Sequence, residues 1–230
     1  MRAALARGLA ETGQTLTDRQ LDQFAEFGRL LVEKNQVMNL TAITEPEAVA
    51  QLHFIDSMAV LRAADCRNKT VIDVGCGAGF PGVPMVIAEP TIRLTLLDSL
   101  QKRMNWLREI LPGLGIEATV VDARAEEYVS QHRERYDIAT SRAVARLNIL
   151  CELCLPYVKV GGRFLALKGA MTQEEVEEAG KAITTLGGKV SRIFEYPVAG
   201  AVHRIVVVDK IRPTPKQYPR KFARIKQAPL

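Results

Sequence analysis

No apolar run in this 230-residue chain reaches the roughly 18 residues that a membrane-spanning helix needs. The first residues, Met1-Arg2-Ala3-Ala4-Leu5, are weakly apolar and soon interrupted by Arg7 and Glu11, so no secretory leader is expected and the chain reads as cytosolic. Cysteine is scarce, with four residues: Cys66, Cys76, Cys151 and Cys154. The pair Cys151-x-x-Cys154 has no second Cys or His pair at ligand spacing, and the three histidines are scattered, so no metal is expected. Both cysteines share a helical face with leucines, which is a buried apolar role. No Gly-Lys-Ser/Thr step follows the glycine-rich segment, which excludes a nucleotide-phosphate P-loop. There is no internal repeat. From Lys210 onward there is no acidic residue.

That last absence localises the charge. The chain carries 31 basic and 26 acidic residues, or +5. Seven basic residues (Lys210, Arg212, Lys216, Arg220, Lys221, Arg224, Lys226) lie between 210 and the C-terminus, leaving 24 against 26 in residues 1–209. The body is near neutral and the surplus sits in a Pro-rich tail, expected to be a mobile strand. Basic residues there suit an anionic polymer, because each phosphate neutralised releases counterions.

Hydrophobic residues make up 47% of the chain and charged residues 25%, enough apolar surface for a folded core without disulfides. Residues 1–67 read as helical. Thr15 or Thr17 caps a stripe of Leu21, Phe24, Phe27, Leu30 and Leu31, and a second stripe begins after Thr44 and Pro46. From residue 68 short β-branched runs alternate with helical patterns. Strands are predicted at 70–74, 93–97, 118–121, 136–140, 162–167, 189–196 and 203–209, and helices at 81–89, 100–112, 124–131, 146–157 and 172–186. Such alternation predicts an α/β fold, with a mostly parallel sheet covered on both faces. The last two strands are joined only by a short loop with Pro197, Gly200 and Ala201, so they should form an antiparallel hairpin.

The strongest local signal is Asp73-Val74-Gly75-Cys76-Gly77-Ala78-Gly79-Phe80-Pro81-Gly82, a buried strand running into a glycine-dense turn and a helix. Glycine is needed where φ is positive or where the backbone must lie against a ligand. Asp98 closes the next strand 19 positions after Gly79, where a carboxylate can accept hydrogen bonds from a ribose diol. Two cofactors fit: a nicotinamide dinucleotide, through Gly77-x-Gly79-x-x-Gly82, and S-adenosylmethionine. The earlier Gly75, the missing N–H of Pro81 where a pyrophosphate would want donors, and the terminal hairpin all favour the second.

With these residues in place the chain resembles the class I methyltransferases, with their Rossmann-like fold. Within them it resembles the bacterial 16S ribosomal RNA guanine-N7 methyltransferase family, also called glucose-inhibited division protein B. Besides the glycine turn the resemblance rests on Asn39-Leu40-Thr41, His53-Phe54-Ile55-Asp56-Ser57, Leu97-Asp98-Ser99 and Lys102-Arg103. It continues through Arg124-Ala125-Glu126, Ser141-Arg142-Ala143, Ala166-Leu167-Lys168-Gly169 and Tyr218-Pro219-Arg220-Lys221. Two departures stand out: Phe222-Ala223-Arg224-Ile225 replaces the family's common Gly-x-Pro step, and Cys76 stands where Ser or Thr is commoner.

The resemblance implies an N-terminal helical extension (1–67), an S-adenosylmethionine-binding domain (68–210) and a basic tail (211–230). It implies 16S ribosomal RNA or the small ribosomal subunit as partner, with a monomeric enzyme and neither membrane nor metal. Gly75, Gly77, Gly79, Phe80, Asp98, Ala125 and Glu126 would hold the cofactor, and Arg142 would stand at the cofactor or the reaction site, with Lys168 beside it. Arg124, Lys102, Lys216, Tyr218, Arg220 and Lys221 would meet RNA, Tyr218 by stacking on a base. His53 and Asp56, three apart on one helical face, are expected to be a hydrogen-bonded pair. The stretch Thr140-Ser141-Arg142-Ala143-Val144 lacks the Asn/Asp-Pro-Pro-aromatic motif of exocyclic adenine methylation, and neither Cys151 nor Cys154 sits at a strand end as pyrimidine C5 chemistry requires. A nicotinamide oxidoreductase using the same glycines, or an RNA-binding module with a vestigial turn, are the competing readings.

Overall fold

The computed structural model describes residues 1–142, 145–169 and 173–230. Ala143 and Val144 of the motif after the fourth strand, and Thr172 at the start of the last predicted helix, lie outside the described residues.

Seven strands form one sheet: β1 Thr70–Val74, β2 Arg93–Asp98, β3 Ala118–Asp122, β4 Tyr136–Arg142, β5 Val158–Lys168, β6 Gly188–Val198 and β7 Ala201–Lys210. Their spatial order is β3-β2-β1-β4-β5-β7-β6. The first five run parallel, and β7 pairs antiparallel with both β5 and β6. The strand order reverses at β1, so the crevice beyond the carboxyl ends of β1 and β4 is where a ligand site is expected. The closing hairpin turns on Ala199 and Gly200, both at positive φ (49° and 78°), the twist-matched two-residue turn. Pro197 sits in β6, an edge strand, where a missing N–H is tolerated.

The central strands bury both faces, which is why their β-branched runs read without alternation, whereas the edge strands β3 and β6 are largely half-buried or exposed. Val71, Leu94, Leu96, Leu165, Leu167, Ile205 and Val207 face one core; Ile72, Val74, Leu97, Phe164, Ala166, Val206 and Val208 face the other. The first core is covered by α1 (Arg2–Thr12), α2 (Asp18–Asn35), a helical stretch running through α3 (Pro46–Val49) and a π-helical segment (Ala50–Ile55) into α4 (Asp56–Ala63), then α5 (Gly82–Ala88) and α6 (Gln101–Ile110). Thr17 starts α2 with a reciprocal capping box to Gln20. Phe24 and Phe27 of α2 pack on Phe54, and Phe27 also meets Phe80 and Trp106, so the N-terminal helices share their core with the sheet.

The second core lies under α7 (Ala125–His132), α8 (Leu147–Cys154), α9 (Gln173–Glu178), α10 (Gly180–Thr185) and α11 (Phe222–Gln227). The helix expected over 172–186 is thus two short helices meeting at Ala179. Cys151 and Cys154 are fully buried on α8, and burial pushes both thiols up.

The tail is not the mobile strand its composition suggested. Lys210 is buried and donates to Leu155 O, Val158 O and Thr214 Oγ1. Arg133 donates to the backbone oxygens of Thr214 and Tyr218. Arg220 forms a bidentate pair with Glu152 of α8, whose carboxylate is 0% exposed. Ile225 of α11 is fully buried in the second core. These partners lie far apart in sequence, so composition alone could not reveal them.

Candidate active site at the carboxyl ends of the strands

The end of β1 makes the floor of the site. Gly75, Gly77 and Gly79 all adopt positive φ (73°, 56° and 94°), where a side chain would strain the backbone. The Gly75 and Cys76 amides donate to Leu97 O at 2.8 and 3.2 Å, which ties the turn to β2. Asp98 fastens it further: its Oδ2 accepts from Gly77 N at 3.0 Å and its Oδ1 from Leu100 N at 2.9 Å. A carboxylate offers about four acceptor positions, so Asp98 keeps capacity for a ligand's hydroxyls. Asp73 lies beneath, fully buried. Its Oδ2 accepts from Gly82 N at 2.8 Å, while Oδ1 has no partner among the described residues. Burial pushes this carboxyl up to about 7, against the pull of the Gly82 hydrogen bond and Arg142. The first amide of α5 is therefore already occupied by a carboxylate, and the preceding Pro81 has no N–H. This is a poor place for a pyrophosphate.

Above the turn lies a cavity of about 440 Å³, lined by Gly75, Cys76, Gly77, Phe80, Asp98, Arg103, His53, Asp56, Arg142, Lys168 and His203 among others. It sits at the switch point of the sheet. A larger depression, about 920 Å³, opens at the opposite, amino ends of β1, β2 and β3, away from the glycine turn and from Asp98.

The far wall is a buried polar network around Arg142 at the end of β4. Its Nη1 donates to Leu52 O at 3.0 Å and to Asp56 Oδ2 at 3.2 Å, and its Nη2 to His53 Nδ1 at 3.1 Å. The guanidinium carbon lies 4.8 Å from the centre of the Phe80 ring, on which His53 also stacks at 4.5 Å. Because His53 Nδ1 accepts from Arg142, its proton is on Nε2, which donates to Thr41 Oγ1 at 2.7 Å. Burial, then the adjacent Arg142 charge, lowers the His53 pKa to about 4, so the ring is neutral. Asp56 Oδ1 meanwhile accepts from Tyr196 at 2.8 Å and His203 at 2.7 Å. His53 and Asp56 are not bonded to each other, as their spacing suggested; Arg142 bridges them. Thr41, Tyr196 and His203 join this network from 12 to 147 residues away in sequence, with no local pattern that marks them as its members. Asp56→Asn removes a charge that three donors share. It is expected to lower stability by about 2 kcal/mol in urea unfolding and to reduce turnover by releasing Arg142.

The remaining residues fall into two groups. Lys168 lines the cavity, but its Nζ is held by Ala145 O and by Glu175 at 2.6 Å. Lys102 is exposed on α6 and outside the cavity; its neighbour Arg103 lines it instead and donates to Asn39 O. Ala125 and Glu126 form the half-buried first turn of α7, with Ala125 O accepting from Tyr157; neither lines the cavity. Arg124, exposed just before them, lies over the Phe222 ring at 6.0 Å. Lys216 and Lys221 are exposed, whereas Tyr218 is half-buried against the second core and Arg220 is committed to Glu152.

A sequence model of the family described as rRNA small subunit methyltransferase G matches residues 20–200. The chain belongs to that family. A ribosomal RNA small subunit methyltransferase G of Clostridium botulinum (strain Eklund 17B / Type B) is 44% identical over 98% of this chain and 97% of its own. That of Brevibacillus brevis is 47% identical over the same shares. Among solved structures, a SAM-dependent methyltransferase from Aquifex aeolicus superposes with a TM-score of 0.55 at 16% identity, covering 77% of this chain and 97% of its own. The mitomycin 7-O-methyltransferase MmcR does so with 0.57 at 17%, covering 80% and 60%. These likenesses show the Rossmann-like class I methyltransferase fold, and the antiparallel β6–β7 hairpin belongs to it.

S-adenosylmethionine fits the residues of this family member. Among the described residues, a Cβ at Gly77 would meet nothing closer than Arg103 Nη1 at 3.6 Å, which leaves a cradle over the turn. Asp98 stands beside it with acceptor capacity to spare.

Proposed function

We propose that this methyltransferase transfers a methyl group from S-adenosylmethionine to N7 of a guanine in the 16S RNA of the small ribosomal subunit. When bound, the cofactor would supply a methyl carbon activated by positive sulfur. The chain's own task is then alignment: holding nucleophile and donor in line and excluding water. Gly75, Gly77 and Gly79 would let backbone approach the cofactor, Asp98 would accept from its ribose hydroxyls, and the first turn of α7 at Ala125 and Glu126 would border its base. Phe80 supports this half from below, stacked under His53 and Arg142.

The observation that carries the N7 reading is how far the wall is committed. His53 has both nitrogens engaged, Asp56 receives three donors and Lys168 is paired with Glu175. Guanine N7 presents an exposed lone pair and needs no proton removed. A wall built to hold shape, rather than to take a proton, suits such a nucleophile. Arg142, anchored on three sides, and Lys168 would orient the base or an adjacent phosphate.

His203 supplies the sharpest check, because its Nδ1 rests on Asp56 as in a base pairing, and the ring lines the cavity. His203→Gln is expected to keep methyl transfer within about tenfold of wild type, with a flat rate between pH 6 and 8. A loss of about 10²–10⁴-fold would mark a general base and hence a nucleophile other than N7. The direct test is to map methylated positions in ribosomal RNA from cells with and without the gene. A guanine-N7 mark that vanishes with the gene, and returns on incubating the RNA with purified protein and S-adenosylmethionine, supports the reading; an unchanged map rejects it.

A further inference from the structure

The folded tail changes what its basic residues can do. Its seven cations divide by position. Lys210 is buried on two carbonyls and Thr214, and Arg220 is locked to Glu152, while Arg212 donates to Thr184 O. Lys216, Lys221, Arg224 and Lys226 are exposed, and none has an ion-pair partner among the described residues. No acidic residue lies within 210–230 to offset them. Lys221 caps α11, with Arg224 three residues on, so these two share a helical face. The same helix begins with Phe222, whose ring lies under the exposed Arg124 at 6.0 Å. Arg124 follows Ala123, whose N–H donates to the backbone oxygen of Asp98 at 3.1 Å. A short, ordered path therefore runs from the backbone of Asp98 in the proposed cofactor site, through the end of β3, to the start of the tail helix.

We propose that residues 210–230 form a pre-folded basic strap, in which Lys210 and Arg220 are anchors and Lys221, Arg224 and Lys226 join Arg124 in an RNA-docking rim beside the methyl-transfer cavity. The proposal rests on the reading of the protein as an RNA methyltransferase. It departs from a flexible arm in one physical respect. Cations carried on a backbone that is already folded lose less conformational freedom on binding than those of a flexible arm, so charge is delivered close to the cavity at a smaller entropic cost. Phosphate contacts of this kind set the register of the RNA without reading its bases. Tyr218 is here part of the strap's packing, with Arg220 over its ring at 5.9 Å.

The test compares three full-length proteins on small-subunit ribosomal RNA: wild type, the triple variant Lys221→Ala, Arg224→Ala, Lys226→Ala, and the anchor variant Arg220→Ala. The triple variant should keep the wild-type urea midpoint and S-adenosylhomocysteine affinity. Its KM for RNA should rise with kcat nearly unchanged, and the slope of log affinity against log salt should flatten by about 2–3. Arg220→Ala should instead lower the urea midpoint. If wild type methylates RNA and the triple variant matches it in KM and salt slope, the strap is not the docking rim. A triple variant that loses kcat or cofactor affinity instead would also overturn the inference. If wild type neither binds nor methylates ribosomal RNA, it is the underlying functional reading that falls.

Discussion

Gly77→Val is expected to leave the protein folded and to abolish S-adenosylmethionine binding, whereas Gly79→Val should damage the fold itself. The two glycines sit two residues apart in one turn, but their surroundings differ. At Gly77 a side chain would point into open space, with Arg103 Nη1 the nearest atom among the described residues at 3.6 Å. The cost to folding is the left-handed backbone, about 1–2 kcal/mol, which a domain stable by roughly 5–15 kcal/mol absorbs. The cost to binding is much larger, because the new side chain fills the cradle beside Asp98. At Gly79 a Cβ would fall 2.6 Å from Val83 Cγ2 and 3.2 Å from Leu107 Cδ2, both in the first core. Overpacking of about 1–3 kcal/mol then adds to the backbone strain, and together they should lower Tm by roughly 10 °C. Calorimetric titration with S-adenosylhomocysteine and a thermal scan of each variant separate the effects. A Gly77→Val protein that binds with wild-type affinity would remove the cofactor from this turn.

Such contrasts show which levels of the structure are local and which are not. The glycine turn was legible because its need for positive φ is written into consecutive residues, and Asp98 followed from the length of one βαβ unit. The buried strands were legible as β-branched runs, and β1 has the predicted ends. β5 is longer at its start than the sequence pattern predicts. It begins at Val158, which pairs with Tyr136 across an irregular register, and the Lys159-Val160-Gly161-Gly162 stretch has no strand-like pattern of its own. Partnership with β4 imposes the extended conformation there. The wall of the site was the least legible part. Arg142 reaches Asp56 across 86 residues, and His203 reaches it across 147. Only the sheet order, which sets β7 beside β5 and β5 beside β4, brings those side chains together. The tail misled for a similar reason: Pro and Lys predict an exposed strand until Glu152, 68 residues earlier, takes up Arg220.

The same buried wall and floor should give the protein an unusual stability profile with pH, because Asp73 and His53 oppose each other. The Asp73 carboxyl is raised from 3.8 to about 7 by burial, so between those values the folded state holds a proton that the unfolded state has released. Stability therefore falls as pH rises through that window, by about 4 kcal/mol for three units at 1.36 kcal/mol each. His53 is lowered from 6.5 to about 4, so here the unfolded state binds the proton first as pH drops. Stability then falls as pH decreases from 6.5 to 4, by about 3 kcal/mol. Over the shared range the slopes have opposite sign and similar size, and in the wild-type protein they largely cancel. Single substitutions should expose them. Asp73→Asn keeps an acceptor for Gly82 N–H and removes the acidic term, so its stability should climb steadily from pH 4.5 to 6.5, where His53 alone governs. His53→Gln keeps hydrogen bonds toward Arg142 and Thr41 without titrating, so its stability should decline from pH 4.5 to 7. Urea midpoints measured in half-unit steps decide the matter, since every other carboxylate contributes equally to both curves. Two variant profiles running parallel to wild type would mean that neither group is held in the charge state its burial dictates. The neutral wall on which the proposed N7 chemistry depends would then have to be abandoned.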